Sequence, residues 1–206
     1  LSTKLNRCGN ILFDCGVFMN VTLEHLEFHK TFDQYKNDKA NLFRALDKHN
    51  HIKTIAGVQT KVNSIGVVNL EDPSFVDFIN ATNHQVYGYT SLGKAGKAAV
   101  ENSAPISLPA IPENTHVMTA TDIVSASNGI SFNISAMDKN SHFTDESEQT
   151  SFSVNAKLPG AFNAYNLMAS IIAVSSVTDL SFEQVAAQVP NVLPIKGRMT
   201  VINEGQ

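Results

Sequence analysis

The sequence has few cysteines, no excess of positive charge and no long apolar run, and each absence excludes a class of protein. Cys8 and Cys15 are its two cysteines, too few for a disulfide framework, which favours a reducing cytoplasm over secretion. A net charge of −4 leaves no basic stripe to neutralise the phosphates of a nucleic acid. No apolar run approaches the roughly 18 residues that a membrane-spanning helix needs, and the first residues do not have the pattern of a signal peptide.

What remains is an ordinary globular composition, with 206 residues of which 43% are hydrophobic and 17% charged. This length permits one large domain or two small ones. Four short apolar runs have the character of buried strands: 11–20, 52–58, 64–70 and 85–90. Helical patterns follow the first and third of them, over Phe32 to about Lys48 and over 72–82. This alternation predicts an α/β fold with a mostly parallel sheet flanked by helices.

The amino-acid composition changes over residues 91–158, where we expect a loop followed by a small antiparallel β insertion. The stretch 91–115 consists mainly of small and polar residues and contains several prolines. Asn128-Gly129 then separates two alternating segments and is a strong hairpin signal, and 149–158 alternates as a third antiparallel strand would. Helical patterns resume at 159–177 and, after Ser181, at 181–189.

Lys39 lies where the helix from Phe32 should be most apolar. At 100° per residue, it falls in the middle of the arc formed by Phe32, Tyr35, Leu42, Phe43 and Leu46. Thr31 should cap this helix, with Gln34 as its capping-box partner. Lys39 could snorkel, with its stem on apolar surface and its ammonium in water. Alternatively, partial desolvation could lower its pKa and free the amine to act as a base, to form a Schiff base or to add CO2 as a carbamate able to bind a hard metal such as Mg²⁺.

Two histidines, His25 and His29, precede this helix in a polar loop. Their spacing of four resembles a zinc pair, but that pattern needs a helix and a third ligand, and the two cysteines form no CxxC. A histidine that forms hydrogen bonds within the loop is the alternative. The residues themselves leave both roles open.

The stretch VFMNVTLEHLEFHKTFDQYKNDKANLF (17–43) resembles the central-domain signature of the Mur ligase family, most closely its members that extend UDP-N-acetylmuramoyl-dipeptide. The matching positions are Asn20, Thr22, His25, Leu26, Phe28, His29, Tyr35, Lys39, Leu42 and Phe43. GAFNAYNLMAS (160–170) resembles the family's Gly-x-Phe-Asn-x-x-Asn segment, and PIKGRMTVI (194–202) resembles the Gly-Arg segment that closes the domain. The three matches occur in the family's order and span nearly the whole chain.

The resemblance implies a role for each matched residue. Lys39 would be the carbamate that, with His25, holds Mg²⁺ beside the γ-phosphate of ATP. Asn163 and Asn166 would approach the adenine, and Arg198 the ribose or phosphates of the nucleotide. Arg7, in LSTKLNR, would contact the UDP-sugar substrate.

The reaction that the resemblance implies is ATP-dependent amide formation, which adds an amino acid as the third residue of UDP-N-acetylmuramoyl-dipeptide through an acyl phosphate, during peptidoglycan synthesis. The family's P-loop should lie upstream of Leu1, because GKAGKAA (93–99) lacks the G-x-x-x-x-G-K-S/T spacing. The amino-acid-binding domain should follow Gln206. We therefore expect 1–206 to be a partial central domain that is inactive alone.

Two alternatives remain open at this stage. One is a sister ligase of the cyanophycin or folylpolyglutamate synthetase type. The other is a Mur-like domain that has lost catalysis and acts as a scaffold, because Leu5, Met19 and Lys30 depart from the family pattern.

Overall fold

The computed structural model describes residues 11–22, 29–91, 111–112, 115–137 and 151–192. Its strands are, in chain order, β1 (Cys15–Phe18), β2 (Ile52–Ile55), β3 (Val58–Lys61), β4 (Ile65–Asn69), β5 (Gln85–Thr90), β6 (Thr115–Ala126), β7 (Gly129–Met137) and β8 (Ser151–Ala156). Six of them form one sheet in the order β1-β4-β5-β6-β7-β8. β1 pairs with β4, β4 with β5 and β5 with β6 in parallel. β6 pairs with β7, and β7 with β8, in antiparallel orientation.

Helices cover both faces of this sheet. They are α1 (Phe32–Leu46), α2 (Phe75–Ile79), α3 (Asn163–Val177) and α4 (Phe182–Ala186). α1 and α2 pack on one face with the buried side chains of Phe18, Val68 and Val86. α3 and α4 pack on the other, with Val67 and Tyr87. Successive strand residues point to opposite faces, so a strand buried on both faces is apolar throughout, as these runs are.

The predicted fold class is thereby confirmed, with one refinement. The antiparallel strands predicted around Asn128-Gly129 and over 149–158 are β6, β7 and β8. They extend the parallel sheet at its edge and do not form a sheet of their own. Within the described residues, no helix has both the length and the hydrophobicity needed to cross a membrane.

The prediction of a parallel strand at 52–58 was wrong. Here β2 and β3 pair with each other as a separate antiparallel hairpin. The turn between them places Ala56 at φ 48° and Gly57 at φ 83°. Hairpin turns of this kind favour Asn-Gly or Asp-Gly because alanine rarely adopts a positive φ. The Ala-Gly pair therefore gave no recognisable turn signal.

The start of α1 follows the prediction in part. Thr31 Oγ1 accepts a hydrogen bond from the backbone N–H of Gln34 at 3.1 Å, as an N-cap should. The Gln34 side chain does not complete a capping box, since it donates to Asp38 Oδ1 at 2.9 Å instead. Further along α1, the Phe43 ring packs on Gly66 of β4, where a Cβ atom would lie 2.9 Å from the ring. This close approach requires glycine.

Candidate active site

A cleft of about 370 Å³ opens at the carboxyl ends of the parallel strands β1 and β4, beside the start of α3. Its walls are formed by Met19, Asn20, Asn69, Glu71, Asp72, Pro73, Phe162, Tyr165 and Asn166. The loops that follow neighbouring parallel strands converge at this edge, which is where open α/β sheets bind their ligands. The cleft is therefore the candidate binding site of the part of the chain that the structure describes.

The loops after β1 and β4 are fastened to each other by two polar side chains. Asp72, 8% exposed, accepts a hydrogen bond from the backbone N–H of Val21 at 2.8 Å and another from that of Ser74 at 2.8 Å. Asn69 donates its side-chain amide to the Met19 carbonyl at 2.9 Å. The bonds from Asp72 to Val21 and from Asn69 to Met19 join residues about 50 positions apart in sequence, so this wall of the cleft is held without a ligand.

Glu71 joins the ends of β4 and β5 to α3. Its Oε1 accepts hydrogen bonds from the backbone N–H of Ser91 at 2.5 Å and from the hydroxyls of Thr90 and Ser91 at 3.0 Å each. Its Oε2 accepts from the Tyr165 hydroxyl at 2.8 Å. Burial, with the nearby charge of Glu71, raises the pKa of Tyr165 to about 12. The phenol is thus a protonated donor at neutral pH, and it orients α3 toward the cleft.

The first turn of α3 presents an aromatic ring and an amide to the cleft. Phe162 is 51% exposed on its wall. Asn166 lies on the same wall, and its side-chain amide donates one N–H to Asn163 Oδ1 at 3.0 Å. The side-chain oxygen Oδ1 and the second N–H of this amide are left for a ligand. Asn163 is held behind it by donating to the Pro159 carbonyl at 2.7 Å. No role for Phe162 was predicted from the sequence, although an aromatic residue directly before Asn163 was the available signal.

Lys39 lies in the middle of α1, on the opposite face of the sheet from α3, and is half-buried. Its Nζ lies 4.9 Å from the centroid of the Tyr35 ring. Of the predicted apolar arc, Tyr35, Phe43 and Leu46 are buried, whereas Phe32 and Leu42 are half-buried. The lysine thus occupies the stripe that the helical period predicted for it.

A buried polar pair beside Lys39 was not predicted. His29, 1% exposed, places Nδ1 2.8 Å from Asp38 Oδ2, and its ring lies 4.7 Å from that of Tyr35. His29 is therefore the loop histidine that forms a hydrogen bond. Its Nε2 is buried without a hydrogen-bond partner among the described residues. Tyr35 thus contacts both His29 and Lys39, which ties the loop after β1 to the lysine.

The other predicted site residues, Arg7, His25 and Arg198, lie outside the described residues. The structure joins Asn163 by a hydrogen bond to Asn166, which lines the cleft, and places Lys39 on α1, across the sheet from them.

The residues around Lys39 are compatible with the Mg²⁺ that the resemblance implies. Mg²⁺ takes oxygen ligands, which a lysine amine lacks and a lysine carbamate has. No carboxylate of the described residues forms an ion pair with Lys39, whose half-buried side chain places Nζ 4.9 Å from the centroid of the Tyr35 ring. A carbamate at Lys39 would therefore supply the oxygen ligands that such an ion takes.

Comparison with known proteins agrees with this architecture. The family model described as "Mur ligase middle domain" matches residues 2–174. The chain therefore belongs to the Mur ligase family.

Among individual relatives, the chain is 39% identical to a UDP-N-acetylmuramyl-tripeptide synthetase of Treponema denticola over 206 residues, which is all of this chain and 33% of that protein. It is 35% identical to the synthetase of the same name from Treponema pallidum, again over the whole chain and over 36% of the relative. The chain thus spans about a third of the length of these relatives.

Solved structures share the fold at lower identity. A crystal structure of MurF from Acinetobacter baumannii superposes with a TM-score of 0.61 at 15% identity, covering 94% of this chain and 32% of that one. A pseudomurein peptide ligase type C from Methanothermus fervidus gives a TM-score of 0.52 at 16% identity, covering 96% of this chain and 37% of that one. These likenesses concern the fold.

Proposed function

We propose that this chain is the nucleotide-binding core of an ATP-dependent ligase that adds the third residue to UDP-N-acetylmuramoyl-dipeptide in the cytoplasm. The observation that carries the proposal is the 39% identity, over the whole chain, to a protein named for this product. The cleft supports it, because it lies where an open α/β sheet binds its ligand. The partners are ATP, the UDP-linked dipeptide and an amino acid.

The adenine is proposed to lie against the first turn of α3. Phe162 exposes an aromatic face to the cleft, and such faces stack on nucleobases. Asn166 has one acceptor and one donor left on its amide, which matches the paired acceptor and donor on the edge of adenine. Asn163 fixes that amide in place, and Arg198 is proposed to reach the ribose or phosphates.

The reaction proposed is two successive transfers. The carboxylate of the substrate attacks the γ-phosphorus of ATP to give an acyl phosphate and ADP. The amine of the incoming amino acid then attacks the acyl carbon, forms the amide and releases phosphate. When bound, Mg²⁺ would neutralise charge on the phosphoryl group. Lys39, as a carbamate, and His25 are the proposed ligands, and Arg7 the contact to the UDP-sugar.

The first test is phosphate release by the full-length protein, supplied with UDP-N-acetylmuramoyl-dipeptide, Mg·ATP and a panel of amino acids. We expect release that requires the sugar nucleotide and one amino acid together. ATP hydrolysis that ignores the sugar nucleotide, or acceptance of a glutamyl-folate or an aspartyl polymer instead, would contradict the proposal and support a sister ligase. No turnover by a folded protein would support the scaffold alternative.

The second test concerns the carbamate. Lys39→Ala should lower the rate by about 10²–10³-fold, since it removes the anion that would hold Mg²⁺ beside the phosphoryl group, and acetate or bicarbonate should restore part of it. Lys36→Ala is the matched control, because Lys36 lies on the same helix and pairs with Asp77 at 2.9 Å on the protein surface. Equal losses in both variants, or no rescue of Lys39→Ala, would reject the role.

A further inference from the structure

A second cluster of polar side chains lies at the other end of the sheet from the cleft. Asp14 directly precedes β1, and His49 and His51 follow the carboxyl end of α1. One ligand atom from each of these three side chains lies within 4.8 Å of the others. The cluster is unrelated to the nucleotide cleft, and none of its members was singled out from the sequence.

The three side chains converge on one point. Asp14 Oδ1 lies 2.8 Å from His51 Nδ1, and the rings of His49 and His51 are 3.9 Å apart between centroids. Ligands of a tetrahedral ion at about 2.0 Å lie about 3.3 Å from each other. The Asp14–His51 pair therefore needs to open by only about half an ångström to admit an ion.

Each histidine is oriented by a backbone carbonyl, as metal-binding histidines usually are. His51 Nε2 lies 2.8 Å from the Leu46 carbonyl, and His49 Nε2 lies 2.7 Å from the Phe13 carbonyl. Carbonyl oxygens only accept, so both Nε2 atoms carry hydrogen. This directs the two Nδ1 atoms inward, where His49 Nδ1 accepts just a long bond of 3.2 Å from the His51 backbone N–H.

The surroundings of the cluster act on a cation in both directions. Lys53 Nζ lies 2.9 Å from Asp14 Oδ2, so it leaves Oδ1 for an ion, although its own charge opposes a second cation. The cluster meets the carboxyl end of α1, whose dipole attracts positive charge. His51 is 4% exposed and has a φ of 54°, a backbone conformation that non-glycine residues adopt at a cost and that is common at functional sites.

We propose that Asp14, His49 and His51 form a structural zinc site, with water as the fourth ligand. Two imidazoles and one carboxylate suit Zn²⁺, whereas Mg²⁺ prefers oxygen ligands alone. The ion displaces the proton between His51 Nδ1 and Asp14 Oδ1, which is released to solvent. It holds the carboxyl end of α1 against the start of β1. The end of α1 at Leu46, whose carbonyl His51 contacts, lies about 10 Å along the helix axis from Lys39, so the site steadies the helix that carries Lys39 and takes no part in the chemistry.

The test is a titration of the metal-stripped full-length protein with Zn²⁺ alone, without nucleotide, by calorimetry and thermal unfolding. We expect one saturable ion and a raised unfolding temperature. His49→Ala and Asp14→Asn should each weaken binding by at least about tenfold. Loss of a residue that only orients a metal ligand already lowers metal affinity by about 10–100-fold, so loss of a ligand should cost no less. Co²⁺ should give the visible absorption bands of a tetrahedral site in the wild type and lose them in His49→Ala.

Two control variants define the site. His84→Ala removes a histidine whose ring lies 4.9 Å from that of His51 but which is outside the ligand group, so binding should persist. His25→Ala should also retain the ion, which separates this site from the proposed magnesium site. Absence of saturable binding, binding that survives His49→Ala, or equal loss in either control would overturn the proposal. If Asp14→Asn fails to fold, His49→Ala still tests the site, because His49 is only half-buried.

Discussion

At the carboxyl end of the parallel strands, the neutral groups of Thr90, Ser91 and Tyr165 donate hydrogen bonds to Glu71. At the amino end, Asp14 contacts the ammonium of Lys53 and the imidazole of His51. Within the part of the chain that the structure describes, no cation pairs with Glu71, whereas Lys53 pairs with Asp14. One end of the sheet is thus held by hydrogen bonds from neutral donors, and the other by ion pairs.

Titration behaviour follows the same division. Burial alone raises the pKa of Asp14, but the hydrogen bonds and charges of His51 and Lys53 outweigh it and bring that pKa below its ordinary value of 3.8. Burial and the charge of Glu71 act the other way at the cleft and raise the pKa of Tyr165 to about 12. Acid should therefore loosen the amino end, and alkali the cleft.

The largest effect on stability is expected from Glu71→Ala. It removes the acceptor of Ser91, Thr90 and Tyr165 at once and leaves partly buried donors to be satisfied by water. We expect a loss of about 2–3 kcal/mol in the free energy of unfolding, measured by urea denaturation, together with weaker binding of ATP. Glu71→Gln retains one acceptor oxygen and should lose about half as much. Equal stability of wild type and Glu71→Ala would refute the hydrogen-bonded account of the cleft.

An intermediate effect on the free energy of unfolding is expected from Asp14→Asn, measured in the presence of a metal chelator. The stabilisation from a lowered pKa is fully present above the unfolded value of 3.8 and disappears as the pH falls through the folded value. The variant should therefore be about 1–2 kcal/mol less stable at pH 7. Its difference from wild type should shrink below pH 3.8. A difference that stays constant down to pH 2 would show that the charge of Asp14 is not what stabilises this end.

The smallest effect is expected from Tyr165→Phe, which removes one donor to Glu71 and should cost about 1 kcal/mol at pH 7. A phenol whose pKa rises from 10.0 to about 12 on folding stabilises the protein below pH 10 and loses that contribution toward pH 12. The variant should lose less stability than wild type over this interval. Part of the alkaline loss should remain, because burial also raises the pKa of Tyr89. An unchanged alkaline profile would contradict the assignment.

The sequence predicted the elements with the clearest local signals. The apolar runs that became β4 and β5 are buried on both faces, so their composition marked them as central strands. Asn128-Gly129 marked the β6–β7 hairpin for the same local reason. At Ala56-Gly57 the local signal was missing, and residues 52–58, which contain β2, the turn and the first residue of β3, were misread as one parallel strand.

The features that escaped the sequence depend on contacts between distant residues. Glu71 and Tyr165 are 94 positions apart, and Asp14 and His51 are 37 apart, so no local pattern joins them. Asp38 is charged and lies in a helix, which favours exposure, yet its pairing with His29 buries it. The His49-x-His51 pair just after α1 was the one available signal for the cluster that these residues form with Asp14.

The central claim is that the nucleotide binds at the carboxyl end of the sheet and leaves the amino end unchanged. Hydrogen exchange of the full-length protein, with and without Mg²⁺ and a non-hydrolysable ATP analogue, tests it directly. We expect added protection in the loops after β1 and β4 and in the first turn of α3, and no change at His49–Ile52 or at the start of β1. Protection at the amino end, with none around Asn166 and Glu71, would contradict the claim.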